Sequence, residues 1–270
     1  VRVYYNEFNP FAANWIRRLI AAGAIPAGEV DTRPIQEVRP EEISRFDQCH
    51  FFAGIGVWAY ALQLAQWPDD LPIWTGSCPC QPHSRAGKRR RHEDPRDLWP
   101  DWYRLIDACK PPVVVGEQVS GTDGYAWLDR VSADVEDTGY AIGSLDLSAA
   151  GVGSPQDRPR LYFVAEGMAH ATRLDGQGIV GFEVSREGRQ QPDRGAGAHR
   201  LPNQVGWWEA HDIVACRDGW GRPVEPGTHP VAPRSPAHMD VMSGLGNSIV
   251  APLAAEFLMS YLDVRNRQAD

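Results

Sequence analysis

The stretch "QCHFFAGIGVWAYALQLAQW", Gln48 to Trp67, changes its rhythm halfway along, and that change decides the fold. "QCHFF" reads as a short strand, "AGIG" as a glycine turn, and "VWAYALQLAQW" repeats its apolar residues at helical spacing. A strand that enters such a turn and leaves as a helix is the unit of a sheet with crossover helices, and the helix N-terminus offers N–H groups to a nucleotide. The turn alone is unspecific, because many nucleotides use it.

Working outward, the same alternation continues on both sides. Upstream, "VRVYY" is a strand, and "NPFAANWIRRLIAAG" is a helix with Asn9 as N-cap, Pro10 in the first turn and Gly23 past its end. "GEVDTRPI" gives a second strand with its exit loop, and a short helix is predicted near "RPEEISRF". Downstream come the strand "LPIWTG", a basic loop, the helix "LWPDWYRLIDACK", the apolar strand "PPVVVGE", the helix "YAWLDRVSADVEDTG" and the strands "YAIGSLDL" and "RPRLYFVA". Apolar strands between helices imply an α/β fold whose parallel sheet is covered on both faces.

The composition shifts near Gly167. From there to Met242 the chain is rich in Gly, Pro, Arg, His and Gln, with Trp207, Trp208 and Trp220 as aromatic islands. This is a poor core; a small recognition lobe and, for its first half, a disordered linker are the competing readings. The expected division is therefore a domain over 1–166, a lobe over 167–242 and a return to the first domain over 243–270, where "GNSIVAPLAAEFLMSYL" regains helical periodicity.

The 270 residues are 43% hydrophobic, enough for one large core. No run of about 18 apolar residues exists and "VRVYYNEFNPF" lacks the layout of a secretory signal, so no membrane association and a cytoplasmic location are expected. Cys49, Cys78, Cys80, Cys109 and Cys216 form an odd set without paired spacing, which argues against a disulfide framework. Cys78 and Cys80 with His50, His83 and His92 raise the question of zinc, but no second Cys or His pair stands at ligand spacing, and no metal is expected.

The formal charge is −8, yet the cations are concentrated and nearly all are arginines, the side chain suited to bidentate phosphate contacts. Arg85, Lys88, Arg89, Arg90 and Arg91 form one patch; a second runs from Arg173 to Arg200. A solvated loop would account for either patch taken alone.

Five segments carry a resemblance: "FAGIG" at Phe52 to Gly56, "PCQP" at Pro79 to Pro82, "EQV" at Glu117 to Val119, "QDRPR" at Gln156 to Arg160 and "GNS" at Gly246 to Ser248. Together with "NEFNPFA" they resemble the cytosine carbon-5 DNA methyltransferases over all of the chain except the glycine-rich lobe. The resemblance implies a Rossmann-like S-adenosylmethionine-dependent methyltransferase sheet with helices on both faces and a small target-recognition lobe. One departure is the order: Glu7 and Asp31, which resemble the ribose-binding and adenine-binding acids, precede the glycine turn instead of following it. The chain is thus similar to a circularly permuted member, an arrangement like that of some phage-encoded relatives.

The resemblance implies roles residue by residue. Cys80 matches the nucleophile that adds to carbon 6 of cytosine, Glu117 the acid at ring nitrogen 3, Arg160 the holder of the base's carbonyl oxygen and Arg158 an orienting cation. Phe52, Ala53, Gly54, Ile55 and Gly56 match the cofactor turn, Glu7 the ribose contact, Phe8 the adenine face and Asp31 the adenine amino group. Pro79, Leu98, Asn247 and Ser248 complete the cofactor pocket. Gln81, Ser84, Arg85, Lys88, Arg89 and Gln156 fall on the substrate side. The implied partner is DNA, double-stranded, with the target base flipped out and the enzyme a monomer.

Four positions depart from the family pattern: His50, Val57, His83 and Gln118. His83 and Val57 leave cofactor selectivity open, because a carboxylated S-adenosylmethionine delivering a carboxymethyl group would need a charged partner. A tRNA substrate and a catalytically silent DNA-binding module remain as further alternatives.

Overall fold

Asn9 starts the first helix as its sequence predicts: Oδ1 accepts from the N–H of Phe11 at 2.9 Å and of Ala12 at 3.3 Å, with Pro10 at the first position. A computed structural model describes residues 1–79, 97–154, 158–168, 212–215, 221–224 and 248–267, the two short stretches in the 200s by backbone alone. In chain order the elements are β1 (Val3–Asn6), α1 (Pro10–Ala21), β2 (Gly28–Asp31), α2 (Pro40–Ile43), β3 (Gln48–Phe51), α3 (Val57–Leu64) and β4 (Ile73–Gly76). There follow α4 (Trp99–Cys109), β5 (Val113–Val119), α5 (Thr122–Asp137), β6 (Tyr140–Ser148), β7 (Pro159–Gly167), β8 (Asp212–Ala215), β9 (Gly221–Val224) and α6 (Ala251–Arg267).

Seven strands form one sheet in the order β2-β1-β3-β4-β5-β7-β6, a Rossmann-like α/β arrangement. Side chains alternate across it, so neighbouring valines of β5 serve different cores. Val114 joins Phe51, Trp74, Trp99, Trp102 and Trp127 under α2, α4 and α5; Val113 and Val115 join Trp58, Leu253 and Phe257 under α3 and α6. A third cluster, around Tyr5, Ile16 and Ile25, seats α1. The terminal helix forms as its periodicity predicts, and α6 packs against α3, the helix of the Gln48 to Trp67 unit.

The expectation of a parallel sheet needs one correction. β7 pairs antiparallel with both β5 and β6, while the other six strands run together. The β6–β7 link is short and holds a 3-10 turn, Ala149–Val152, and such a return permits only the antiparallel pairing. The reversal has a functional consequence. It brings the start of β7 to the C-terminal edge of β5, pairing Arg160 with Val119. β8 and β9, an antiparallel pair inside the 167–242 segment, were not expected; the rest of that segment lies outside the described residues, apart from Gly167 and Met168.

Candidate active site

The parallel strands end together, and a cavity of about 750 Å³ opens outside their carboxyl ends, the usual ligand position in sheets of this kind. Its first wall is the glycine turn. Phe52 and Gly54 both have left-handed backbones, with φ of 50° and 56°, and the Phe52 ring stands edge-on to Trp102 at 5.9 Å. The turn is pinned from the neighbouring strand: Ala53 N–H donates to the Asn6 carbonyl at 3.1 Å, and Gly54 N–H donates to Glu7 Oε2 at 2.7 Å. The other Glu7 oxygen accepts from Asn9 N–H at 2.8 Å, so one carboxylate joins the turn to the start of α1. Burial pushes the Glu7 carboxyl up, against these two N–H donors. A Cβ on Gly54 would meet nothing within 4 Å, so the turn presents bare backbone to open space.

The opposite wall is acidic and basic at once. Glu117, 7% exposed near the end of β5, receives Arg160 Nε at 2.8 Å. Burial pushes its carboxyl above the ordinary range, against the positive field of Arg160, a hydrogen bond from Ser77 and the charge of Arg158. Burial, reinforced by Arg160, holds the Arg158 guanidinium below its usual value, and its Nη2 donates to the Ser248 carbonyl at 3.1 Å. Beside Glu117, Gln118 uses both ends of its amide: Nε2 donates to the Cys78 carbonyl at 3.0 Å and Oε1 accepts from Val119 N–H at 2.9 Å. The amide therefore fixes the chain two residues before Cys80.

Of the residues singled out from the sequence, Glu7, Phe8, Phe52, Ala53, Gly54, Ile55 and Val57 line this cavity on the turn side. Pro79, Leu98, Glu117, Arg158, Arg160 and Ser248 line it on the other. Two stand apart. Asp31 faces a separate depression, where its carboxylate accepts from Arg33 Nη2 at 2.7 Å, Arg33 Nε at 3.0 Å and Tyr4 Oη at 2.8 Å. Gly56, with φ of 83°, turns inward, and a Cβ there would lie 3.0 Å from Ile25 Cδ1. Cys80, Gln81, His83, Ser84, Arg85, Lys88, Arg89, Gln156 and Asn247 lie outside the described residues.

Several lining residues escaped the sequence reading: Asn6, Trp58, Ser77 and the segment from Pro34 to Gln36. Ser77 had a signal, since it follows the predicted end of β4 directly. The Pro34–Gln36 segment had none, because it reaches the cavity through a 3-10 turn over Ile35–Glu37. His50, the fourth departure, is core: 1% exposed, bonded through Nδ1 to Thr75 Oγ1 at 2.7 Å and stacked on Tyr5.

Comparison with known proteins gives the family. The model of the C-5 cytosine-specific DNA methylases matches residues 51–185, and the chain belongs to that family. It is similar to the type II methyltransferase M.MspI of Moraxella, 37% identical over 132 residues, covering 46% of this chain and 32% of the relative. It is also similar to M.HgiBI of Herpetosiphon aurantiacus, 27% identical over 167 residues, covering 60% of this chain and 36% of the relative. The matches thus span about a third of these relatives' length. Among solved structures, the Entamoeba histolytica methyltransferase EhMeth aligns with a TM-score of 0.44 at 16% identity, over 64% of this chain and 54% of that one.

Proposed function

We propose that the protein is a DNA cytosine carbon-5 methyltransferase that uses S-adenosylmethionine. One observation carries the reading: the glycine turn, the Pro79 entry to Cys80 and the Glu117–Arg160 pair all face one cavity. The turn side fits the cofactor, with bare backbone at Gly54, an aromatic ring at Phe8 that is 68% exposed, and the Glu7 carboxylate within reach of hydroxyls. When bound, S-adenosylmethionine supplies an electrophilic methyl on sulfur. The remaining chemistry falls to the chain's own side chains.

A cytosine carbon 5 is unreactive until its conjugation is broken. The Cys80 thiolate adds to carbon 6, the ring electrons move toward nitrogen 3, and the Glu117 proton meets them there. Burial keeps that proton on Glu117 at a higher pH than an exposed glutamate would allow. Arg160 holds the base's carbonyl oxygen, and Arg158 steadies the segment carrying Ser248. Carbon 5, now nucleophilic, takes the methyl as its bond to sulfur breaks and a neutral thioether departs; loss of the carbon-5 proton to a base then expels the Cys80 thiolate, and the nitrogen-3 proton returns to Glu117. Carbon 6 is out of reach inside a duplex, so the base is flipped into the cavity at a cost of about a few kcal/mol. Arginines of the 80–96 segment hold phosphates, and the 167–242 lobe reads the bases.

The sheet order supports a permuted chain. β1 and β2 precede the matched region in sequence, yet β1 pairs with β3, which carries the glycine turn. A sheet cut at one surface connection and joined at another keeps its neighbours and its crevice.

The test is nucleoside mass spectrometry of cytosine-containing duplex DNA incubated with the full chain and S-adenosylmethionine. The expected product is 5-methylcytosine, with Glu117→Gln at least about a hundredfold slower, the usual weight of a general acid. Unmodified cytosine with wild-type protein, or full activity in Glu117→Gln, would contradict the reading.

A further inference from the structure

Trp58 and Ser77 have no place in the chemistry above, yet both line the cavity, and their hydrogen bonds run in one direction. Trp58 is the second residue of α3, 2% exposed, with its ring edge-on to Tyr162 at 6.2 Å. Its indole Nε1 lies 3.1 Å from Ser77 Oγ. An indole N–H can only donate, so Ser77 must accept, and the hydroxyl proton is left for another partner. The register supplies that partner: Gly76 of β4 lies opposite Gly116 of β5, so Ser77 stands beside Glu117 on the same cavity wall, where its hydroxyl favours the Glu117 carboxylate. The donors on Glu117 thus come from two elements: Arg160 from β7 and Ser77 from the end of β4.

From this geometry we infer that Trp58 and Ser77 are positioning residues for Glu117, a fixed donor relay that aims its carboxyl and sets how readily it carries a proton. The inference rests on the reading of Glu117 as the acid at nitrogen 3. Trp58 sits in the first turn of the helix that leaves the glycine turn, so the relay also ties the acid to the element that shapes the cofactor wall. Arg160 holds Glu117 from the β7 side; the Ser77 hydroxyl, turned by the indole, adds a second constraint from the β4 side. Among the described residues the other groups near Glu117 are Arg158, just before β7, and Tyr162 on β7, and burial keeps the Tyr162 phenol neutral.

The direction of the effect follows from the donor sense. A donor to the carboxylate favours the ionised form, so removing it lets Glu117 keep its proton to higher pH. The experiment is the pH profile of single-turnover methyl transfer by the full chain at saturating S-adenosylmethionine. The alkaline limb should move up by about one pH unit in Ser77→Ala, the scale of one hydrogen bond to a charged group. Ser77→Thr should restore it. Trp58→Phe should move the limb the same way by less, and should move it no further in the Ser77→Ala background. Carbon-13 NMR of the Glu117 carboxyl, in Ser77→Ala or Ser77→Gly, reads the same shift without turnover.

An unmoved limb and an unmoved Glu117 resonance titration in Ser77→Ala would overturn the inference, provided Glu117→Gln alters the profile. Equal shifts from Trp58→Phe in both backgrounds would overturn the relay in particular. A profile that Glu117→Gln leaves unchanged removes the acid reading and the inference with it.

Discussion

At the scale of single residues, the chain sorts its buried ionisable groups by whether they face the cavity. Glu117 and Glu7 face it and are pushed up by burial, and each keeps N–H or hydroxyl donors that hold its orientation. His50 faces the core, and burial holds its imidazole down to about 3. It is therefore neutral in the folded chain wherever an unfolded histidine, near about 6.5, would begin to take a proton. A group with a depressed folded value in this sense contributes stability that is present above about pH 6.5 and drains away as pH falls toward 3. Denaturant midpoints between pH 7 and pH 4 should fall steeply for wild type and less steeply for His50→Gln, which keeps an acceptor for Thr75. Parallel slopes would mean that other groups dominate the acid response. Asp31 illustrates the opposite outcome of the same physics. Burial would push its carboxyl up, but the bidentate Arg33, its backbone N–H and Tyr4 overcome that and hold it below the ordinary range. Asp31 is thus held at the separate depression by Arg33 and Tyr4, an engagement that no sequence pattern signals.

At the scale of elements, most of the sheet was legible. The 3.6-residue pattern of "VWAYALQLAQW" and "LWPDWYRLIDACK" and the unbroken apolar "VVV" of β5 leave little choice once Asn9, Pro10 and Gly23 mark helix ends. The sense of β7 was not legible, because strand direction depends on what the connection can span, and "SAAGVGSPQD" gives no turn geometry on its own. Nor was the role of Gly116. It sits between Val115 and Glu117, and a Cβ there would lie 2.2 Å from Phe163 Cε1 on the paired strand. The missing side chain lets the Phe163 ring lie against the Gly116 backbone. Gly116→Ala should destabilise the fold by about 1–3 kcal/mol, the cost of overpacking a filled core. It should also slow transfer, since Glu117 is the next residue. Chemical denaturation together with a turnover assay checks both, and a variant as stable as wild type would refute the packing argument.

At the scale of the whole molecule, the account is one of convergence. Strand ends from β1, β3, β4 and β5, the reversed β7 and the approach to α6 supply one cavity, although their residues are scattered from Asn6 to Ile249. The sequence revealed most of that cavity because its motifs are short and strand-terminal; it missed Trp58 and Ser77 because a packed indole and a small hydroxyl look like ordinary core and turn until a hydrogen bond joins them. Recognition of DNA is assigned to the 167–242 lobe on composition, and deleting it should abolish site preference in a methylation assay while calorimetric binding of S-adenosylmethionine persists. Covalent catalysis by Cys80, as proposed above, has a direct signature. Wild-type protein incubated with S-adenosylmethionine and a duplex carrying 5-fluorocytosine at its target should form a stable adduct, seen as a mass increase of protein plus strand, because fluorine cannot leave as a proton does. The adduct should map to Cys80 and be absent in Cys80→Ser. An adduct that persists in Cys80→Ser, or no adduct with a wild-type chain that methylates ordinary cytosine, would contradict the account.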